Sequence, residues 1–163
     1  VYIYSQDEPT AYKPADSFVL ARVKKDQLKQ WHNYEYFAGF DNSNRPRWSE
    51  DVRKRKPVFK NPAKCYRSHV SYNQGLDRYI WVQTIPLSYG RGPRFQGGIG
   101  IFESEHPWGP WKTVYYTREW DVGPGESASI PTKWISKDGK TCHLVFSGDD
   151  YFSVRKMAIE LAE

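Results

Sequence analysis

The chain lacks an apolar run of the roughly 18 residues that a membrane-spanning helix needs, so no such helix is expected. It has neither a glycine period nor heptads, which excludes collagen-like chains and coiled coils. Cys65 and Cys142 do not make a disulfide framework or a CxxC pair, and a single bridge and two buried thiols both remain open. No leader with a basic start and an apolar stretch precedes Val1, so we expect a processed chain or a piece of a longer one.

Aromatic side chains, in contrast, are abundant. Trp, Tyr and Phe make up 17% of the 163 residues, with 7, 12 and 8 copies against a single methionine. Disordered chains are poor in aromatic and β-branched residues, so this composition predicts a folded protein. The length is that of one ordinary domain.

Short aromatic and β-branched runs recur between Gly, Pro, Asn and Asp clusters, which is the pattern of an all-β protein. The predicted strands are 1–5, 17–23, 34–40, 68–73, 78–84, 98–103, 112–117, 128–135, 141–147 and 152–161. A short helical segment is expected at 26–31, where Asp26 is placed to cap one or two turns. Tight turns are expected at 73–77 and at 136–140, the second around an Asp-Gly pair.

One order of strands occurs twice. Strands 68–73 and 78–83, joined by a tight turn, precede a polar loop and a third strand, and 129–134 with 142–147 repeat that order. Four-stranded antiparallel units in series predict a partial β-propeller of about two and a half blades, with a β-sandwich as the alternative.

The expected boundaries are a partial blade at 1–59, a complete blade at 60–120 and a partial blade at 121–163. So few blades cannot close a ring, and the first and last sheets present unpaired edges. We therefore expect the remaining blades to come from missing sequence or from another chain.

Several segments carry a family resemblance, among them Pro107-Trp108-Gly109-Pro110-Trp111. The others are 15–23, 34–39, 57–59, 70–73 and 146–150. Together they resemble the family called domain of unknown function 4185, which is similar to the five-bladed propellers of glycoside hydrolase family 43. This resemblance covers nearly the whole chain. It implies a carbohydrate-active, exported protein that acts on or binds a polysaccharide or oligosaccharide, some members being endo-acting glycosidases on arabinan-type polymers.

Blade topology predicts where chemistry collects. The loop between the second and third strands lies at the same end as the entry to the next inner strand, so one end gathers loops 6–16, 85–97 and 148–151 with entries 60–67 and 120–127. The polar and aromatic side chains of that end are Asp7, Glu8, Tyr12, Asp16, Tyr66, Arg67, His69, Tyr89, Arg91, Arg94, Glu126, Asp149 and Asp150. Carboxylates beside aromatic rings are what a sugar site needs.

A glycoside hydrolase is the first hypothesis for this end. Glu126 is the expected general acid, because it follows Gly123-Pro124-Gly125 and enters an inner strand. Asp7 or Asp16 is the expected opposing base, although Asp16 also suits a turn and Glu126 also suits a solvent-facing loop. The expected substrate-binding residues are Tyr12, Arg67, Tyr89, Arg91, Arg94, Asp149 and Asp150.

A polysaccharide lyase is the runner-up. Arg67 and His69 are two residues apart on a strand and so face the same side. The guanidinium suits the carboxylate of a uronate, and His69 suits the removal of a proton. A hydrogen-bonded structural His69 is the alternative, and a propeller that binds glycan or protein without catalysis is the second class of function.

No cofactor or metal is expected. Asp41–Asn44 lacks the spaced carboxylates of a calcium loop and is interpreted as a hairpin turn, with a structural calcium left open. The 4 histidines lack the spacing of zinc ligands. The basic run Arg53–Lys56 is interpreted as a charged sheet edge, so neither nucleic acid nor a membrane is an expected partner. Trp108 and Trp111 are expected to pack between blades.

Overall fold

The computed structural model describes residues 1–87 and 93–161, which form three antiparallel sheets. Sheet 1 contains β1 (Tyr2–Gln6), β2 (Ala15–Arg22), β3 (Glu35–Phe40), β4 (Pro46–Ser49) and β5 (Phe59–Cys65). Sheet 2 contains β6 (Ser68–Asn73), β7 (Arg78–Pro86), β8 (Gly97–Ser104) and β9 (Lys112–Tyr116). Sheet 3 contains β10 (Ala128–Ser129), β11 (Thr141–Phe146) and β12 (Ser153–Ala158). Short 3-10 turns lie at Lys25–Gln27, Trp31–Asn33, Val52–Lys54, Thr132–Trp134 and Gly148–Asp150.

The all-β class predicted from the sequence is confirmed. Sheet 2 is a four-stranded meander in which each strand pairs with the next, and sheet 3 has the same order over three strands. In sheet 1, β5 pairs with the first half of β2, while β3 pairs with its end. Antiparallel sheets in series are compatible with a propeller, and the number of blades and their boundaries stay predictions.

Sheet 2 packs between the other two, and the alternation along β7 shows how. Ile80 and Val82 lie in one core with Leu144 of sheet 3. Trp81 points to the opposite face and lies in a second core with Phe18 of sheet 1. Because both faces of β7 are covered, its central residues Ile80, Trp81 and Val82 are all apolar rather than alternating with polar ones.

Trp81 is at the centre of the core between sheets 1 and 2. It is fully buried, and its ring centroid lies 4.9 Å from that of Tyr4 and 4.8 Å from that of Trp111. Trp108, from the same loop as Trp111, lies 6.1 Å from Trp48 of β4. Both loop tryptophans therefore pack between sheets, as the sequence predicts.

The sequence pattern does not predict β4 or β5. Asn61 and Pro62 are residues that strands usually avoid, so β5 carries no recognisable strand signal. The expected strand 128–135 is also wrong beyond Ser129, because Pro131 interrupts the ladder and a 3-10 turn follows.

The expected turns are present, with one correction. Asn73 pairs with Arg78 across the first turn, and Gly139 in the Asp-Gly turn has φ 75°, which glycine adopts without strain. The segment 26–31 contributes to two 3-10 turns, but Asp26 does not cap them, since the residue preceding the first turn is Lys24 and no side chain bonds there. Across the two described ranges, no helix has the length and apolarity needed to cross a membrane.

Candidate functional site

Loops from all three sheets meet at one end of the strands. Arg67, just before β6, places its Nη1 atom 2.9 Å from Oε2 of Glu126, just before β10. The Arg67 guanidinium also lies 5.4 Å from the ring centre of Tyr12, in the β1–β2 loop. The topology therefore brings Tyr12, Arg67 and Glu126 into one cluster, which we call the loop-end site.

The backbone before Glu126 is fixed by neighbouring loops. The N–H of Gly125 donates to the carbonyl of Pro93 at 3.1 Å, and the N–H of Glu126 donates to Ser147 Oγ at 2.9 Å. Gly125 has φ 78°, and a Cβ on it would lie 2.2 Å from the carbonyl oxygen of Ser147, so the position requires glycine. The Glu126 side chain, 35% exposed, thus projects from a rigid segment.

Glu126 is held by two donors on one oxygen. The phenol of Tyr66 donates to Oε2 at 3.0 Å, and Arg67 pairs with the same atom. Burial raises the pKa of Tyr66, and the hydrogen bond to Glu126 raises it further, so the phenol remains a donor at neutral pH. This arrangement fixes the rotamer of the carboxylate.

Arg67 is itself held by two aromatic rings. Its guanidinium lies 5.4 Å from the Tyr12 ring and 5.5 Å from the Tyr66 ring, within the range of cation–π attraction. Tyr66 is 2% exposed, whereas Tyr12 is 74% exposed. One ring therefore anchors the arginine from the protein side, and the other covers it while still facing solvent.

A second ion pair joins the other two loops of this end. Arg94 Nε donates to Asp150 Oδ2 at 2.6 Å, and the Arg94 guanidinium lies 5.3 Å from the ring of Phe95. The hydrogen bond to Asp150 raises the pKa of Arg94, and the negative charge of Glu126 contributes to the same shift. Arg94 and Asp150 thus join the loop before β8 to the turn after β11.

Asp149 supports the segment that precedes Glu126. Its Oδ1 accepts the N–H of Gly123 at 3.0 Å, and its own N–H donates to the Gly123 carbonyl at 3.1 Å. The Asp149 carboxylate thus holds the backbone of the loop that leads to Glu126, and its expected role in substrate binding stays a prediction.

The two expected bases have other partners. Asp7 Oδ1 lies 2.7 Å from Arg55 Nη2, at the edge of a cavity of about 520 Å³ over sheet 1. Asp16 lies inside β2, where its Oδ1 accepts the N–H of Ala63 at 2.9 Å, at a bulge in β5 with φ 61°. Asp7 therefore lies over sheet 1, and Asp16 stabilises the bulge in β5.

His69 is exposed at the start of β6 and faces sheet 3. Its Nδ1 lies 3.1 Å from Ser71 Oγ, which donates to the carbonyl of Ile130. Although the residue as a whole is exposed, neighbouring protein atoms partly desolvate the ring, which lowers the pKa of His69. These contacts fit the structural interpretation of His69, while Arg67 on the same face turns to Glu126.

Two expected substrate-binding residues, Tyr89 and Arg91, lie outside the described residues.

The sequence pattern does not predict that Tyr66 binds the Glu126 carboxylate together with Arg67. Neighbouring residues on a strand point to opposite faces, so Tyr66 and Arg67 are not expected to share a partner. They do so because they lie at the junction between β5 and β6, outside the regular ladder.

No metal centre is evident in the part of the chain that the structure describes, where no group of three His, Cys, Asp or Glu side chains could hold an ion. Asp41 forms a hairpin turn, with Oδ1 accepting the N–H groups of Ser43 and Arg45 at 2.8 and 2.9 Å. Cys65 and Cys142 are both buried free thiols.

No protein-family model and no curated protein matches this chain, so the resemblance to the domain of unknown function 4185 family stays a prediction. Similar solved structures include an exo-β-1,3-galactanase from Phanerochaete chrysosporium with galactose, at 12% identity and a TM-score of 0.47, over 90% of this chain and 34% of that chain. A variant of the same galactanase with β-1,3-galactotriose is 11% identical, with a TM-score of 0.48, over 96% of this chain and 39% of that chain. The chain thus spans little more than a third of these structures.

Proposed function

We propose that this chain is part of a carbohydrate-active propeller, a glycoside hydrolase that acts on a polysaccharide, with Glu126 as one of its catalytic carboxyls. The observation that carries the proposal is the fixed Glu126 carboxylate, bonded to Tyr66 and Arg67 at the end where the loops meet. Further blades, from the rest of the protein or another chain, complete the site, and the protein is exported.

The surroundings of Glu126 suit a sugar. Tyr12, Phe95 and Tyr151 come from the β1–β2, β7–β8 and β11–β12 loops and are 74%, 59% and 75% exposed. Aromatic faces stack on the flat apolar faces of sugar rings, and such rings lose little conformational freedom when they bind. The Glu126 carboxylate at the same end supplies the negative charge that an oxocarbenium-like transition state requires.

A glycosidase needs a second carboxyl. Asp150 lies in the loop between β11 and β12, at the same end as Glu126, and pairs with Arg94, whereas Asp7 pairs with Arg55 beside the cavity over sheet 1 and Asp16 holds the N–H of Ala63. We therefore assign the opposing carboxyl to Asp150. The two roles are those of an acid and a base or nucleophile on either side of the scissile bond.

The lyase hypothesis has less support from these contacts. Arg67 would have to release Glu126 before it bound a uronate, and the His69 ring is directed to Ser71. A site that binds glycan without cleaving it uses the same exposed rings and is an outcome of the test below.

The test is turnover of a panel of neutral and uronate-containing polysaccharides by the full-length protein and its Glu126→Gln variant. Glu119→Gln is the matched control, because Glu119 is an exposed carboxylate earlier in the same connection between β9 and β10. We expect new reducing ends with the wild type and with Glu119→Gln, and a loss of at least about a hundredfold with Glu126→Gln. Full activity of Glu126→Gln would overturn the assignment, an unsaturated product would indicate a lyase, and binding without turnover would indicate a glycan-binding protein.

A further inference from the structure

The loop between β2 and β3 presents an exposed tryptophan at the opposite end of the strands. Tyr12 and Arg67 show that β2 and β6 begin at the same end, so the loop that follows β2 lies at the other end. The two ends are separated by the length of β6, roughly 20 Å at about 3.3 Å per residue. Trp31 is 81% exposed there, and Leu28 is 42% exposed.

The backbone of this loop is well ordered by its own hydrogen bonds. The N–H groups of Gln27, Gln30 and Asn33 each donate to the carbonyl of the residue three positions earlier, at 2.9 to 3.0 Å. The phenol of Tyr34 closes the loop by donating to the carbonyl of Leu28 at 2.7 Å. The loop therefore holds Trp31 in the solvent without further ordering, which lowers the entropic cost of binding through it.

The charged side chains of the loop that carries Trp31 are mostly basic. Lys24, Lys25 and Lys29 are exposed along the loop, together with His32, against the single acidic residue Asp26. The ring of His32 lies nearly perpendicular to that of Trp31, with centroids 6.0 Å apart, and the indole stays largely exposed to solvent. An exposed flat ring on a loop that carries three exposed lysines suits a ligand that has both apolar ring faces and negative charges.

We infer that residues 24–33 form a second binding site, whose ligand is an anionic polysaccharide. Trp31 stacks on a sugar ring, and Lys24, Lys25 and Lys29 pair with carboxylate or sulfate groups of the chain. The choice of a polysaccharide over other polyanions rests on the proposed function. The site is separate from Glu126, so it anchors the polymer and takes no part in its cleavage.

The probes are polygalacturonate and its methyl-esterified form, which have the same backbone with and without negative charge. Retention of the full-length protein in gels that contain each polymer measures binding. We expect retention by polygalacturonate, decreasing as salt rises, and little retention by the esterified polymer. Trp31→Ala and the double variant Lys25→Gln, Lys29→Gln should each weaken retention about five- to tenfold, as expected when one stacking contact or an electrostatic pair of contacts is lost.

Matched controls separate this site from general effects. Trp134→Ala removes another partly exposed indole and Lys137→Gln another exposed lysine, and both should bind as the wild type does. Unchanged retention of Trp31→Ala and of the double lysine variant would overturn the inference. It would also be overturned if the wild type bound anionic phospholipid vesicles through Trp31 and not polygalacturonate.

The outcome is distinguishable from failure of the proposed function. Trp31→Ala should cleave short oligosaccharides at the wild-type rate, and Glu126→Gln should be retained by polygalacturonate as strongly as the wild type. If no saccharide is cleaved but retention still depends on Trp31, the proposed function fails and the second site stands. If cleavage depends on Glu126 but retention is independent of Trp31, the proposed function stands and the second binding site fails.

Discussion

Arg67 Nη1 lies 2.9 Å from Glu126 Oε2, and this pair joins the start of sheet 2 to the start of sheet 3. Both side chains are about one-third exposed, at 32% and 35%. An ion pair this accessible to water contributes little to stability, about 1 kcal/mol or less. Its main effect is to orient the Glu126 carboxylate.

Replacing Arg67 should therefore affect activity much more than stability. We expect Arg67→Lys to lower polysaccharide turnover at least about tenfold, because lysine keeps the charge but not the planar group held between Tyr12 and Tyr66. Its free energy of unfolding should fall by about 1 kcal/mol or less, measured by urea denaturation.

The matched control is Arg22→Lys. Arg22 pairs with Glu35 at 2.8 Å, is similarly exposed, and lies 4.1 Å from the ring of Trp48, away from the loop-end site. It should lose comparable stability and retain full turnover. Equal turnover of both variants would contradict the positioning role of Arg67.

Tyr66→Phe removes a single hydroxyl from the Glu126 carboxylate. Because the ring stays buried, we expect the free energy of unfolding to fall by about 1.5–3 kcal/mol, the usual value for one hydrogen bond to a charged group. Turnover should fall about tenfold or more, with kcat affected rather than KM, since the hydroxyl holds a catalytic group and not the substrate. A change confined to KM would indicate that Tyr66 contacts the sugar directly.

Trp81→Ala should destabilise the protein severely. The ring is fully buried between sheets 1 and 2, and loss of a buried tryptophan usually costs about 3–5 kcal/mol. Trp134→Ala, at a site that is 45% exposed, should cost much less. Comparable denaturation midpoints for the two variants would contradict the packing of sheet 1 on sheet 2 through Trp81.

Cys65 should be nearly unreactive in the native protein. Burial raises the pKa of its thiol to about 12, so at pH 8 the thiol remains protonated, and the thiolate is the reactive form. In a Cys142→Ala variant, a thiol reagent should modify Cys65 rapidly in denaturant and only slowly in buffer. Equally rapid modification in both would place Cys65 outside the core.

The sequence predicts which residues lie at the loop-end site better than it predicts the contacts that hold the surrounding backbone in place. The period-2 strand pattern and the repeated order of strands indicate that Tyr12, Arg67 and Glu126 lie at one end, since this follows from strand direction alone. The same reasoning does not predict which groups Asp16 and Asp149 contact, and their expected functional roles stay predictions. Both carboxylates bind backbone N–H groups of irregular segments, whose conformation depends on tertiary packing rather than on a local pattern.

The strands that the sequence misses have a related cause. β5 contains Asn61 and Pro62 and is held in sheet 1 by β2 and by the bulge at Ala63, so its pairing overrides its weak intrinsic preference. Tyr66 and Arg67 follow β5 at its junction with β6, and from there both side chains contact the Glu126 carboxylate. A prediction from strand periodicity alone cannot find that contact.

The central claim is that the loop-end site binds a sugar chain at Glu126. Its most direct test is a crystal structure of the full-length Glu126→Gln variant with an oligosaccharide of the polymer that the wild type cleaves. We predict a sugar ring against Tyr12 and a glycosidic oxygen or anomeric carbon within about 3–3.5 Å of the side chain at position 126. An oligosaccharide bound elsewhere, with the loop-end site empty, would contradict the account.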